Sequence, residues 1–108
     1  MMRGELVTIA VQGDFGKPRP ALVIQSGQFS EHKSVTVLPV TGTLINAPLL
    51  RVTVKPDAEN GLQKTSQIMI DKTMTVLREK TGPAFGRIDA TTMLEVERCL
   101  AVFLGIAK

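Results

Sequence analysis

Three observations predict a small β-barrel closed by a C-terminal helix, a mainly β or α+β fold in one domain spanning residues 1–108. Short β-branched and apolar segments follow one another at regular spacing, which is typical of small barrels. No helical pattern separates these segments, and this disfavours a parallel α/β sheet. Only the last stretch of the chain changes to an apolar period of three and four residues.

The predicted strands are each bounded by glycine, proline or polar residues. They cover residues 6–11, 21–25, 34–40, 50–54, 67–70 and 73–77. The segment 12–20 holds two glycines and two prolines, so it is expected to form a loop. Pro39 lacks a backbone donor, which predicts an edge or a bulge at that end of its strand.

The C-terminal helix is predicted from Ala90 to Leu104. Asp89 is expected to cap its N-terminus by accepting a backbone N–H, and Gly105 to end it. The face expected to be buried comprises Met93, Val96, Leu100, Phe103 and Leu104.

The composition indicates an ordinary globular protein and disfavours several kinds of site. The chain has 108 residues, 44% hydrophobic and 21% charged, with a net charge of +3, which is an ordinary globular balance. A slightly basic surface fits a phosphate-bearing partner and equally fits no special partner. Cys99 is the only cysteine and His32 the only histidine, so neither an internal disulfide nor a zinc site is expected. We expect a cytoplasmic protein without a signal peptide or membrane segment.

Arg19, between Pro18 and Pro20, is the most informative candidate residue. The two prolines restrict the backbone on both sides of it, and a guanidinium matches two oxygens of a phosphate. The alternative interpretation is a solvated loop arginine in a stiffened turn.

Further candidates for binding RNA or phosphate lie at strand ends and in the connections between strands. The hydroxyl of Thr41 could orient a phosphate or a ribose. Asp71 and Lys72, between two apolar strands, could read a base edge and hold a phosphate. Phe15, in a loop, could stack on an unpaired base. Each also has a purely structural interpretation, as a strand end, a solvated turn or a hydrophobic plug.

The order of these segments resembles the MazF/PemK toxin family. The likeness starts with Arg3-Gly4-Glu5-Leu6-Val7, followed by an arginine-proline step into an apolar strand at 19–25 and a strand ending in threonine at 37–41. It continues with Ser66 to Asp71 and Thr75, and it ends with a helix opened by 86–89 and closed by Leu104-Gly105.

This resemblance implies an SH3-like barrel, a homodimer and an antitoxin partner. It also implies sequence-specific cleavage of single-stranded RNA through the 2′-hydroxyl, with no metal and no cofactor. The chemistry would lie on Arg19 and Thr41. The acid that matches Asp71 helps hold RNA in relatives. The further RNA contacts expected in this chain are Phe15, Lys17, Lys72 and Thr75. This chain has a shorter first loop than its relatives, and Met69 stands where some relatives have a second catalytic arginine.

Two other functions remain open at this point. One is a toxin of the same fold that poisons DNA gyrase, as CcdB-type proteins do. Those proteins end in tryptophan-glycine-isoleucine, whereas this chain has Phe103-Leu104-Gly105-Ile106 and no tryptophan. The other is a binding module without catalysis, because a fold does not determine a function.

Overall fold

The computed structural model describes residues 1–10 and 17–107, so the candidate Phe15 lies outside the described residues. Seven strands and one helix are seen in this part of the chain. In order they are β1 (Glu5–Ala10), β2 (Pro18–Val23), β3 (Ser34–Thr41), β4 (Arg51–Val54), β5 (Ser66–Met69), β6 (Met74–Leu77), β7 (Gly86–Arg87) and α1 (Ala90–Phe103). Short 3-10 turns cover Gly27–Phe29, Ile70–Lys72 and Arg78–Lys80.

The strands form one curled antiparallel sheet in the order β4-β5-β3-β2-β1-β7, and β6 pairs with β3 beside β5. A mainly antiparallel half-barrel followed by one helix confirms the predicted fold class, and it is consistent with an SH3-like barrel. No helix in the described ranges is both long and apolar enough to cross a membrane.

The prediction that Pro39 marks an edge or a bulge is wrong. β3 pairs with β2 on one side and with β6 and then β5 on the other. Because the N–H of Ile24 donates to the carbonyl of Thr36, alternation along the ladder leaves Pro39 in a non-hydrogen-bonded pair with Ala21. The missing donor of Pro39 therefore faces the place where β3 changes partner.

Two apolar clusters lie on opposite faces of the sheet, because successive strand residues point to opposite sides. On β1, Leu6 joins one cluster while Val7 and Ile9 join the other. The larger cluster is covered by α1, which contributes Val96 and Cys99. The apolar run in β1 thus reflects burial on both faces.

The helix ends as predicted. Gly105 has a φ of +76°, its N–H donates to Val102 O at 3.1 Å, and the N–H of Ile106 donates to Ala101 O at 2.8 Å. This is a Schellman motif, in which glycine supplies the left-handed residue. At the other end, Asp89 occupies the N-cap position, but its side chain makes no capping hydrogen bond. The predicted carboxylate cap is therefore wrong.

The buried face of α1 is partly as predicted. Val96 is fully buried, and Met93 and Leu100 pack against the larger cluster. Phe103 and Leu104, however, are 48% and 61% exposed. The last helical turn therefore lies beyond the larger cluster.

Candidate active-site groove

A large open groove of about 1250 Å³ is formed by the start of β2, the end of β3, the segment 61–64 and the turn after β5. We call it the central groove. Its volume exceeds the usual range for a drug-sized ligand, roughly 300–1,000 Å³, and its open shape suits an extended chain. Among the described residues that line it, three carry positive charge and one carries negative charge: Arg19, Lys64, Lys72 and Asp71.

Arg19 lies in a strand rather than in a loop, which corrects the predicted extent of the first loop. Pairing of β1 with β2 continues to Ala10 opposite Pro18, and Arg19 stands opposite Ile9. Cross-strand pairing therefore fixes the backbone that carries the guanidinium, and the prolines on either side add to this restriction. The exposed side chain of Arg19 lines the central groove.

Thr41 is the last residue of β3, and it lines the same groove. The backbone N–H of Thr43 donates to its hydroxyl oxygen at 3.1 Å. Because a hydroxyl has one donor and two acceptor positions, this contact orients the oxygen and allows the proton to point into the groove. Arg19 and Thr41, which are far apart in sequence, thus meet on one surface.

The loop after Thr41 is held by a buried amide that sequence analysis missed. Gln67 is only 6% exposed and stands opposite Thr41 in the β3–β5 ladder. Its amide accepts from the N–H of Ile45 at 3.1 Å and donates to Ile45 O at 3.0 Å and to Thr53 Oγ1 at 3.2 Å. A glutamine inside an apolar strand was the available signal.

Asp71 belongs to the 70–72 turn and lines the central groove. Its carboxylate accepts a hydrogen bond from Arg51 Nη1 at 2.7 Å. This bond holds the pKa of Asp71 below its ordinary value, with a smaller opposing effect of burial and smaller lowering effects of backbone hydrogen bonding, of the Arg51 charge and of Lys72. Arg51 was not among the residues selected from the sequence.

Of the three remaining predicted RNA contacts that the structure describes, one lines the groove and two do not. Lys72 is exposed and lines the groove beside Asp71. Lys17 is exposed but is not part of the described groove lining. Thr75 lies on β6, where its hydroxyl is 3.0 Å from that of Thr36 on β3, and it does not line the groove either. Arg19, Thr41, Asp71 and Lys72 are thus brought together, whereas Lys17 and Thr75 are not.

Lys64 is a groove cation that sequence analysis missed. Its side chain lies across Gly42, where a Cβ atom would stand 2.2 Å from Cε and 2.6 Å from Nζ. The hydroxyl of Ser66 donates to the carbonyl of Lys64 at 2.9 Å. The absence of a side chain at Gly42 therefore leaves room for an ammonium next to Thr41.

Phe85 is an aromatic residue on the groove wall, and it is 39% exposed. Its ring packs beside Gly61, where a Cβ would stand 3.3 Å from Cδ1. Gly61 has a φ of +67°, a conformation that favours glycine. Sequence analysis selected Phe15, outside the described residues, as the aromatic that stacks on a base; among the described phenylalanines, Phe85 lines the groove.

This arrangement can bind a polyanion. Three cations spread along an open groove attract phosphates, a hydroxyl at a strand end can donate to a phosphate oxygen, and a partly exposed ring can stack on an unpaired base. No cluster of metal-ligating side chains is found among residues 1–10 and 17–107.

Comparisons with a family model and with a related protein indicate the same family. The family model described as PemK-like, MazF-like toxin of type II toxin–antitoxin system matches residues 2–104. A protein of Mycolicibacterium smegmatis named probable endoribonuclease MazF is 45% identical over 108 residues, which cover 99% of each chain.

Several solved structures share the fold. An endoribonuclease in complex with its cognate antitoxin from a mycobacterial species superposes with a TM-score of 0.82 at 20% identity, covering 100% of this chain and 98% of that one. The toxin MazF-mt6 of Mycobacterium tuberculosis gives 0.81 at 24% identity, with 96% and 99% covered. A MazE–MazF complex from Deinococcus radiodurans gives 0.77 at 24% identity, with 99% and 97% covered.

Proposed function

Since the chain belongs to the PemK-like, MazF-like toxin family of type II toxin–antitoxin systems, we propose that it is an endoribonuclease that cuts single-stranded RNA at a specific sequence. The observation that carries this proposal is the central groove, which joins Arg19 and Thr41 to two further cations. The relative from M. smegmatis is named probable endoribonuclease MazF, which supports an activity on RNA.

The reaction we propose uses the nucleophile of the substrate. The 2′-hydroxyl attacks the adjacent phosphorus, the bond from phosphorus to the 5′-oxygen breaks, and the products are a 2′,3′-cyclic phosphate and a 5′-hydroxyl end. The proton of the 2′-hydroxyl goes to a base, and the leaving oxygen takes a proton. Because the nucleophile is supplied by the RNA, the reaction does not require a metal-bound hydroxide.

Arg19 stabilises the charge that develops on the phosphoryl oxygens, since a guanidinium stays protonated and offers two donors. The hydroxyl of Thr41, oriented by the N–H of Thr43, donates to one of these oxygens. Asp71 is poorly suited as the general base, because its contact with Arg51 lowers its pKa and a base works best with a pKa near the operating pH. We therefore assign Asp71 to RNA binding.

We also propose that the toxin acts in the cytoplasm as a homodimer and is silenced by a cognate antitoxin. One solved relative is an endoribonuclease bound to its antitoxin, which supports a protein partner of this kind. An acidic antitoxin segment would be attracted by Lys17, Arg19 and Lys72, and it would compete with RNA. Competition between an antitoxin peptide and a non-cleavable RNA tests this point, because simultaneous binding with unchanged affinities contradicts a shared site.

The gyrase alternative is supported by one observation. Leu104 and Ile106, near the C-terminal end, are 61% and 78% exposed, as a tail that binds another protein would need to be. Supercoiled DNA with gyrase provides the test of this second function, and trapped gyrase–DNA complexes would support it.

The decisive experiment incubates the pure protein with labelled RNA in the presence of a chelator. We expect cleavage at a recurrent short sequence, with cyclic phosphate ends. An RNA carrying deoxyribose at the cut site should remain intact, and its cleavage would contradict the route through the 2′-hydroxyl. Binding of RNA without cleavage would instead favour a module without catalysis.

A further inference from the structure

The contact between Arg51 and Asp71 is a well-defined ion pair on the wall of the central groove. Arg51 Nη1 lies 2.7 Å from Asp71 Oδ1 and also donates to the carbonyl of Leu50 at 3.1 Å. The two side chains are only 12% and 22% exposed. Low exposure and two anchoring bonds distinguish this pair from solvated surface pairs, which contribute little.

The backbone brings these two residues together across 20 positions of sequence. Arg51 stands directly opposite Met69 in the β4–β5 ladder, and the chain then turns through residues 70–72. The N–H of Ile70 donates to Leu50 O at 3.0 Å, which fastens the turn to the start of β4. Asp71 therefore follows an anchored residue, and its carboxylate meets the guanidinium of the neighbouring strand.

From this geometry we propose that Arg51 is a positioning residue for Asp71, and that the carboxylate held by it selects an RNA base with an amino group. This inference rests on the proposed function, because it assigns the base preference of the same groove. Arg51 itself is not part of the described groove lining, so its influence on RNA passes through Asp71.

The selection follows from the hydrogen-bonding character of the carboxylate. An ionised aspartate only accepts hydrogen bonds. Arg51 occupies one position on Oδ1 and a backbone hydrogen bond takes up another, so the lone pairs beyond these two are the ones that can accept from RNA in the groove. Cytosine, adenine and guanine each carry an amino group that donates. Uracil presents two carbonyl oxygens beside its single N–H, and these repel a carboxylate. Acidic side chains accept from the cytosine amino group in the same manner, and single-stranded RNA exposes this edge of its bases.

Arg51 contributes through geometry, because its hydrogen bond to Oδ1 fixes the direction in which the other lone pairs of the carboxylate point. A carboxylate without that partner could rotate, and its lone pairs would no longer be aimed at one position of the RNA. The loss of Arg51 should therefore reduce discrimination between bases more than it reduces cutting at the preferred sequence.

The test compares the cleavage motifs of the parent protein, Asp71→Asn and Arg51→Met on a randomised RNA pool, with the cut ends sequenced. We expect one position of the parent motif to exclude uracil. Asp71→Asn is nearly isosteric but adds donors, so uracil at that position should gain about 5- to 150-fold relative to cytosine. Arg51→Met should relax the same position to a smaller extent, and Arg51→Lys should restore part of the preference.

Arg98→Met is the matched control, because it removes an arginine from an exposed pair with Glu95 and should leave the motif unchanged. Thermal unfolding checks that each variant folds, and the affinities of intact variants for oligo(rC) and oligo(rU) provide a readout without cleavage. If Asp71→Asn retains the parent motif, or if Arg51→Met slows cutting equally at all sequences, the proposal is overturned. A parent that neither cuts nor binds RNA overturns the proposed function itself, a result distinct from unchanged base preferences in an active enzyme.

Discussion

Two sides of the central groove, one carrying Arg19 and the other carrying Asp71, are built on different kinds of backbone. The backbone of Arg19 is fixed by strand pairing with Ile9 and by two neighbouring prolines. Asp71 sits in a turn, and its carboxylate is placed by a side chain from another strand, Arg51. The comparison teaches that the backbone of Arg19 is fixed by strand pairing, whereas the turn that carries Asp71 depends in addition on a contact with Arg51, which lies outside the described groove lining.

The largest effect should come from the wall of Arg19. Arg19→Ala removes a donor aimed at transition-state charge, and the loss of one such donor lowers kcat by about 10²–10³. Arg19→Lys should fail nearly as badly, because a single ammonium cannot bind two phosphate oxygens as a guanidinium does. Single-turnover cleavage of RNA measures the effect, with Arg98→Ala as an exposed control. Cleavage by Arg19→Ala at the parent rate would show that this wall does not carry the chemistry.

A second substitution tests whether the groove also binds bases by stacking. Phe85→Ala should weaken the affinity for a non-cleavable RNA by about 1–3 kcal/mol, the usual contribution of one base–aromatic stack. Phe29→Ala is a matched control, because Phe29 is 45% exposed and packs edge-on against His32. Equal losses in both variants would indicate a general effect rather than stacking in the groove.

The third prediction concerns Lys64 and Gly42, and it tests whether Lys64 extends the cationic surface next to Thr41. Lys64→Ala should lower the slope of log affinity against log salt by about 0.7 for a single-stranded ligand, as expected for one phosphate contact. Gly42→Ala should reproduce part of this change, because the new methyl group would displace the ammonium. The double variant should add little to Lys64→Ala. Additive losses would mean that Gly42 acts through the backbone of the loop, and Lys55→Ala serves as the control.

The smallest effect we expect is the contribution of Asp71 to the free energy of unfolding, and this contribution should depend on pH. The folded protein holds the pKa of Asp71 below its ordinary value, so the charged carboxylate stabilises the fold above the unfolded pKa, roughly 3.9. This contribution is lost as the pH falls through the folded pKa. The difference in unfolding free energy between the parent and Asp71→Asn should therefore shrink in acid. Urea unfolding at a series of pH values measures it, and a difference independent of pH would contradict the role of Arg51.

The predictable part of the fold depended on local patterns. The alternating strands and the terminal helix were predicted correctly within a few residues, because their periodicity and the glycine at the helix end act over short distances in sequence. Pro39 was misinterpreted, since a missing donor is also tolerated in a paired strand when it faces a change of partner. The exposed Phe103 was misplaced because periodicity identifies a helix face but not how far the packing reaches along it.

The sequence by itself determined the fold class, the family resemblance and four groove residues, Arg19, Thr41, Asp71 and Lys72. Only the tertiary structure decided what surrounds them. Arg51 reaches Asp71 through the β4–β5 register, and Lys64 reaches the space left at Gly42. Phe85 lines the same groove, and its ring packs beside Gly61. These contacts join residues from separate segments, so no local pattern encodes them, and they appear only when the sheet curls and brings strand ends and loops onto one surface.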